Sequence, residues 1–156
     1  MVEEDYFGTD GRPIANQDGV ATVLLSFDDR HDIISDTNYG ISGLPVLNSY
    51  GYFRAYRGYD RAQRRIRESY FGTDGMPVAN RAGYAYALYR FLPGGQELER
   101  AWFGPDGKPA NNKYLGYARK IIVYDSAGNW VNYAMFDAQG QLVTEDYLGN
   151  HKRELQ

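Results

Sequence analysis

Tyrosine and arginine side chains recur at regular spacing along the chain, and these residue types recognise ligands without reacting with them. Tyr52, Tyr84 and Tyr117 each follow a glycine, and the residue two positions further on is arginine or tyrosine. Such side chains stack and donate hydrogen bonds, and they are favoured at recognition hot spots. The alternative is an ordinary half-exposed sheet face with cross-strand Tyr–Arg pairs. The spacing predicts an exposed ligand-binding strip made of Tyr52, Arg54, Tyr84, Tyr86, Tyr117 and Arg119.

Residues suited to catalysis or metal binding are scarce. The chain has no cysteine and two histidines, His31 in a predicted turn and His151 in the tail. Neither lies in a pattern that suggests a catalytic triad, and neither a phosphate-binding loop nor an HExxH motif occurs. The aspartates of the predicted turns, Asp10, Asp74 and Asp106, lack the dense oxygen-ligand spacing of a calcium loop. We therefore expect a non-catalytic protein with neither cofactor nor metal. A hydrolase stays an alternative that needs a pocket with two carboxylates on one wall.

Composition narrows the range of partners. The 156 residues suffice for one domain with a real core, and 43% of them are hydrophobic. A formal charge of −3, from 20 acidic and 17 basic residues, argues against nucleic acid, which normally needs a basic excess. No apolar stretch approaches the roughly 18 residues that span a bilayer, so we expect no membrane insertion. The N-terminus lacks the features of a signal peptide, which leaves localisation open.

A repeated motif organises the chain. Tyr6-Phe7-Gly8-Thr9-Asp10-Gly11 returns as Tyr70-Phe71-Gly72-Thr73-Asp74-Gly75, and its final glycine recurs at 11, 43, 75, 107 and 140. A Gly-x-Pro-x-x-Asn pattern follows in phase after the first four of these glycines. Glycine supplies the positive φ of tight turns, proline avoids central strands, and asparagine bonds its own backbone two residues on. The sequence predicts 32-residue units at 6–37, 38–69, 70–101 and 102–134, with a partial unit at 135–156.

Two strand-like segments lie between the turn signals of each unit. The clearest examples are residues 84–91 and 98–103, separated by Pro93-Gly94-Gly95. Each unit therefore reads as a β-hairpin plus a connection of about ten residues. The predicted fold class is all-β: tandem 32-residue hairpins that form an antiparallel meander or a solenoid-like twisted sheet. Since the first copy begins within a hairpin at Tyr6, we expect either a fragment of a longer array or self-association through uncapped repeat ends.

Two aromatic series recur at equivalent positions and predict the core. Buried aromatic side chains each stabilise by roughly 1.5–3 kcal/mol, and a series that is aromatic in every copy is most simply core. The first series is Phe7, Tyr39, Phe71, Phe103 and Phe136, and the second is Phe27, Tyr59, Phe91 and Tyr124.

Two bacterial repeat types share short motifs with this chain. The hairpin that ends in Tyr124-Asp125-x-x-Gly128-Asn129 resembles the YD repeats of RHS-type proteins, whose strands build long spiralling sheets. The alternation of Tyr/Phe-Gly-x-Asp-Gly with Gly-Tyr resembles the aromatic hairpin repeats of cell-wall-binding modules, including choline-binding and clostridial toxin repeats. The second resemblance implies non-catalytic attachment to surface glycans through aromatic side chains between successive hairpins. It implies no site at the level of single residues.

The sequence thus favours a non-catalytic binding module that recognises cell-surface or cell-wall carbohydrate through the Tyr/Arg strip. The expected partner is a glycan or cell-wall polymer. The alternative is a structural spacer or a protein–protein interaction scaffold, in which repeats supply length and a sheet edge pairs with a partner.

Overall fold

The chain folds into one antiparallel β-sheet in a computed structural model that describes residues 1–143. Those residues form nine strands and no helix, which confirms the predicted all-β class. None of them therefore belongs to a helix that is long and apolar enough to cross a membrane. The strands are β1 (Val2–Asp5), β2 (Thr22–Phe27), β3 (Ile33–Tyr39), β4 (Arg54–Tyr59), β5 (Arg65–Phe71), β6 (Tyr86–Phe91), β7 (Glu97–Phe103), β8 (Arg119–Tyr124) and β9 (Trp130–Phe136).

Tight turns join β2 to β3, β4 to β5, β6 to β7 and β8 to β9. In the turn after β4, the Asp60 carboxylate accepts the backbone N–H groups of Ala62 and Arg64 at 2.9 and 3.0 Å. The fourth residue of each turn has a positive φ. This residue is His31 or Gln63 in the first two turns and Gly95 or Gly128 in the two later ones. His31 thus lies in a hairpin turn, as predicted, whereas His151 and the second half of the partial unit lie outside the described residues.

The order of strands in the sheet is their order in the sequence, so the sheet is an open meander and not a closed solenoid. All neighbouring strands are antiparallel, and each of the four hairpins has the same register and a bulge near its turn. The division of the chain into repeat units stays a prediction from the sequence. The equivalent opening pairs are Thr22 with Tyr39, Arg54 with Phe71, Tyr86 with Phe103, and Arg119 with Phe136.

The connection between successive hairpins doubles back on itself. After β5, Phe71 forms an isolated β-bridge with Pro77, around a turn in which Gly75 has a φ of +78°. Asn80 then donates its backbone N–H to the carbonyl oxygen of Tyr84 at 2.9 Å and closes a second turn. Proline and asparagine thus lie in the connection, as their backbone preferences predict.

These connections cover one side of the sheet, which we call the covered face. Cross-strand pairs place Ala55 opposite Tyr70 and Ala87 opposite Trp102 on this face, and all four residues are buried. Tyrosines from the connections pack between them with ring centroids 4.9–6.0 Å apart, which is the range of favourable aromatic contacts. The resulting core is an aromatic ladder of Tyr52, Tyr70, Tyr84, Trp102 and Tyr117.

The two aromatic series predicted as core are not the core, and that prediction was wrong. Phe7 is 58% exposed, and every other member of both series is only partly buried. Phe71 follows the buried Tyr70 in β5, and Phe103 follows the buried Trp102 in β7. Consecutive strand residues point to opposite faces, so Phe71 and Phe103 lie on the other side of the sheet, which we call the open face.

Candidate functional site

The predicted Tyr/Arg strip does not exist as one surface. Tyr52, Tyr84 and Tyr117 are buried in the aromatic ladder, so their expected exposure was wrong. The physical reason is that they precede the strands and belong to the connections, which fold onto the covered face. Tyr84 also donates its hydroxyl to Glu68 Oε1 at 2.9 Å, a buried hydrogen bond.

The other half of the predicted strip lies on the open face. Arg54 and Tyr86 stand opposite Phe71 and Phe103, and the ring of Tyr86 stacks on Phe103 at 4.7 Å with an interplanar angle of 9°. Arg119 pairs with Glu99 at 2.6 Å. Each arginine therefore has an aromatic or acidic neighbour on its own face, which matches the alternative of a half-exposed sheet face more closely than a strip.

Beside Tyr52 the covered face opens into a groove of about 410 Å³. One wall is aliphatic and comes from β2 and β3, whereas Tyr50 and Tyr52 come from the connection before β4. The groove is open to solvent and is not an enclosed cavity. The groove is lined by Val23, Leu25, Ile33, Asp36, Asn38, Asn48, Tyr50, Tyr52, Arg57, Tyr59 and Arg65.

The groove exists because the aromatic ladder stops at Tyr52. Asn38 stands opposite Val23 in the same register in which Tyr70 and Trp102 stand opposite alanines. It carries no ring, and its side chain donates to the carbonyl oxygen of Phe53 at 2.9 Å. A position that holds an aromatic ring in the next two hairpins therefore holds a smaller, polar side chain here, and that side chain lines the groove.

A buried ion pair lies in the groove. Arg57 Nη1 contacts Asp36 Oδ1 at 2.5 Å, and both side chains are largely shielded from solvent. Burial alone would lower the pKa of Arg57, but the Asp36 carboxylate outweighs it and the pKa is raised. Burial raises the pKa of Tyr52, and the charge of Asp36 adds to that shift. Arg57 therefore stays charged and Tyr52 stays neutral at physiological pH.

A second charged cluster borders the groove through Arg65. Glu68 is 3% exposed and accepts the Tyr84 and Tyr89 hydroxyls on Oε1 at 2.9 and 3.0 Å. Its Oε2 accepts a hydrogen bond from Arg65 Nη1 at 2.9 Å. Burial, and then the charge of Glu68, raise the pKa of Tyr84 to about 12. Three donors thus satisfy this buried carboxylate, which does not line the groove.

The rim of the groove carries an exposed ring. Tyr50 is 66% exposed and stacks on Tyr52 with centroids 6.4 Å apart and an interplanar angle of 24°. The Asn48 side-chain oxygen accepts the backbone N–H of Tyr50 at 3.0 Å and holds the turn that presents it. Tyr59 fixes the opposite end, where its hydroxyl donates to the Ile33 carbonyl oxygen at 3.1 Å.

Reasoning from sequence missed Asp36, Asn38, Tyr50 and Arg57. One feature of the sequence could have indicated the groove, namely a departure from the repeat. Asn38 is polar, whereas the equivalent positions in the other copies hold large side chains: Tyr6, Tyr70, Trp102 and Met135. Among the described residues that line the groove, Asp36 is the one carboxylate, so this groove gives no support to a two-carboxylate hydrolase. Across residues 1–143, no three acidic, histidine or cysteine side chains cluster as a metal site would need.

Comparison with protein-family models and with curated proteins finds no match to this chain.

Proposed function

We propose that this protein is a non-catalytic binding module for surface or cell-wall carbohydrate, and that the ligand binds in the groove beside Tyr52. The observation that carries the proposal is that Asn38 stands where the next two hairpins have the aromatic residues Tyr70 and Trp102. At this position the groove lies between the tyrosines of the connection and an aliphatic wall, and it also contains charged hydrogen-bonding groups.

Carbohydrate suits this combination of surfaces. A sugar ring has an apolar face that packs on aromatic rings, while its hydroxyls exchange hydrogen bonds with polar side chains. Tyr50 supplies the exposed aromatic surface, and Asp36 and Arg57 supply an acceptor and donors. The resemblance of the chain to cell-wall-binding hairpin repeats supports the same class of ligand.

The open face favours a second candidate, a protein-interaction scaffold. Tyr56 and Leu88 are large side chains that lie exposed on this face, in strands two positions apart in the sheet. This function would not need the groove, so groove variants separate the two candidates.

A glycan and cell-wall polymer array tests the first proposal, with Tyr50→Ala as the variant. Because Tyr50 stands on the exposed rim of the groove, loss of its ring should cost about 1 kcal/mol, which is a roughly five-fold loss of affinity. Tyr114→Ala is the matched control. Tyr114 is 69% exposed and its backbone N–H donates to Asn112 just as that of Tyr50 donates to Asn48, but it does not line the groove. An array without any binder, or equal losses for the two variants, would refute the proposal.

A further inference from the structure

We infer that the open face binds an acidic segment of a partner protein, in which two carboxylates flank an apolar side chain. This inference rests on the second candidate, the protein-interaction scaffold, and names the chemistry of its partner. It does not need the groove. The juxtaposition behind it is a row across four strands, in which neighbouring strands place Arg67, Leu88, Ala101 and Arg119 opposite one another.

The open face has more arginines than its carboxylates can pair. Strands β4 to β8 place Arg54, Arg67, Arg90 and Arg119 on this face, and they place one carboxylate there, that of Glu99. Arg90 and Arg119 share this carboxylate, which they contact at 3.0 and 2.6 Å. Four positive side chains against one negative side chain leave an excess of positive charge on these strands.

The two other arginines bond to neutral hydroxyls. Arg54 Nε donates to Thr37 Oγ1 at 3.1 Å, and Arg67 Nε donates to Ser69 Oγ at 3.4 Å. Within residues 1–143, neither guanidinium forms an ion pair with a carboxylate. A hydroxyl does not compensate the charge of a guanidinium, so this face is positive although the formal charge of the chain is −3.

The other acidic side chains of the open face lie at its β1 edge. Glu3 stands opposite Leu24, and Asp5 stands opposite Thr22 and accepts its hydroxyl at 2.6 Å. Strand β1 is three positions from β4 in the sheet, which is roughly 14 Å. Exposed charges at such a distance are largely screened at physiological ionic strength, where the Debye length is about 8 Å. The acidic edge therefore leaves the positive charge of β4 to β8 uncompensated.

The row of four residues sets the spacing of the partner. Arg67 and Arg119 lie three strand positions apart, which is about 14 Å between their backbones. An extended segment advances about 3.3 Å per residue, and its residues i, i+2 and i+4 point to the same side. Two glutamates four residues apart thus span about 13 Å and match the two arginines. The residue midway between them faces Leu88, which is 41% exposed, and Ala101. The row therefore fits an extended Glu-x-Leu-x-Glu segment.

The aromatic rings of the open face favour a protein over a nucleic acid. Tyr86 stacks on Phe103 at 4.7 Å, and Tyr56 meets Phe71 edge to face at 5.6 Å. Single-stranded nucleic acids bind through bases that stack on aromatic side chains. Rings that already contact each other offer less surface for bases, whereas planar guanidinium groups bind carboxylates with matched geometry.

An NMR titration of the isotopically labelled full chain tests the inference. The probe is the peptide Gly-Glu-Thr-Leu-Thr-Glu-Gly with blocked ends, and the matched peptide has glutamine in place of both glutamates. Exposed charge pairs contribute modestly, so we expect the acidic peptide to bind about five-fold more tightly, with chemical-shift changes in β5 to β8. This advantage should shrink at high salt.

Two further probes test the spacing and the class of partner. A peptide of the same composition with adjacent glutamates should bind more weakly, and equal affinity would overturn the assignment to the row. An oligomer of ten thymidylates tests nucleic acid. If it binds the same strands more tightly than the acidic peptide, the assignment to a protein partner is overturned.

Arg67→Gln is the variant, since Arg67 is exposed and bonds to a hydroxyl and not to a carboxylate. We expect it to reduce the preference for the acidic peptide about two-fold, while the affinity for the glutamine peptide stays constant. Arg61→Gln is the control, because it removes the same charge from an exposed residue in the turn after β4. Circular dichroism establishes that both variants are folded, and Arg67→Lys should keep part of the preference. Equal effects of the two glutamine variants would overturn the inference.

The outcomes separate this inference from the proposed functions. Neither Arg67 nor Arg61 lines the groove, so the glycan array reports on carbohydrate binding independently. Equal affinity of the open face for the acidic peptide and the glutamine peptide overturns the inference and leaves the scaffold standing. Binding of neither peptide overturns the inference together with the scaffold, and carbohydrate binding then stands or falls on the array.

Discussion

Replacing Tyr84 with phenylalanine removes one hydroxyl and keeps one ring of the aromatic ladder. That hydroxyl donates to Glu68 Oε1 at 2.9 Å, and both residues are buried. Tyr89 donates to the same oxygen at 3.0 Å, and Arg65 holds the other oxygen of the carboxylate. The substitution therefore tests how much of the stability of the fold depends on satisfying a charge beneath the connections.

The expected loss of unfolding free energy is about 1.5 kcal/mol. Hydrogen bonds to charged groups contribute about 1.5–3 kcal/mol, and the lower end applies because Tyr89 still donates to the same oxygen of Glu68. With a urea dependence of roughly 1–3 kcal/mol per molar for small proteins, the urea midpoint should fall by about 0.5–1.5 M.

Urea unfolding monitored by tryptophan fluorescence measures this loss, because the Trp102 ring lies 6.0 Å from Tyr84. Tyr86→Phe is the control. Its hydroxyl donates to the Gly107 carbonyl oxygen at 3.3 Å from an exposed position, so the midpoint should change by less than that of the buried variant. If Tyr84→Phe destabilises no more than Tyr86→Phe, the buried hydrogen bond does not contribute as argued.

Two further predictions concern backbone strain and pH. Gly51 has a φ of +85°, so Gly51→Ala should lower the free energy of unfolding by about 1–2 kcal/mol, as measured by thermal melts. Gly58→Ala is the control and should not lower it, because the added Cβ would lie 3.8 Å from Arg67 Cβ, an ordinary contact distance. Burial, with Glu68, raises the pKa of Tyr84 from 10.0 to about 12 in the folded chain, so the unfolded chain loses that proton first. The stabilisation that comes from keeping Tyr84 protonated is therefore complete below pH 10 and is lost as the pH rises towards 12. A urea midpoint that stays constant between pH 8 and 11 would contradict this prediction.

Local sequence was enough to predict the hairpins. The segments 84–91 and 98–103 were expected to be strands, and they correspond to Tyr86–Phe91 and Glu97–Phe103. Strand propensity and turn glycines act over a few residues, so a single sequence contains that information. The open meander follows because each turn joins strands that pair with each other.

The face on which each side chain lies could not be predicted in the same way. Tyr52 and Arg54 are two residues apart, a spacing that keeps one face in a regular strand. Tyr52, however, precedes β4 and belongs to the irregular connection that folds over the sheet. Whether such a residue becomes core depends on where its connection packs, which is tertiary information. The groove needed the same information, because Asn38 lines it together with Tyr52, which lies on a neighbouring segment.

The pairing of strands in order of sequence also bears on how the molecule folds. Each described strand is hydrogen-bonded to its neighbours in the chain, so contact order is low for a β-sheet protein and long loops need not close first. Every residue that lines the groove falls between Val23 and Arg65. During synthesis on a ribosome, the segment that forms the groove would thus be complete before β6 to β9 have emerged.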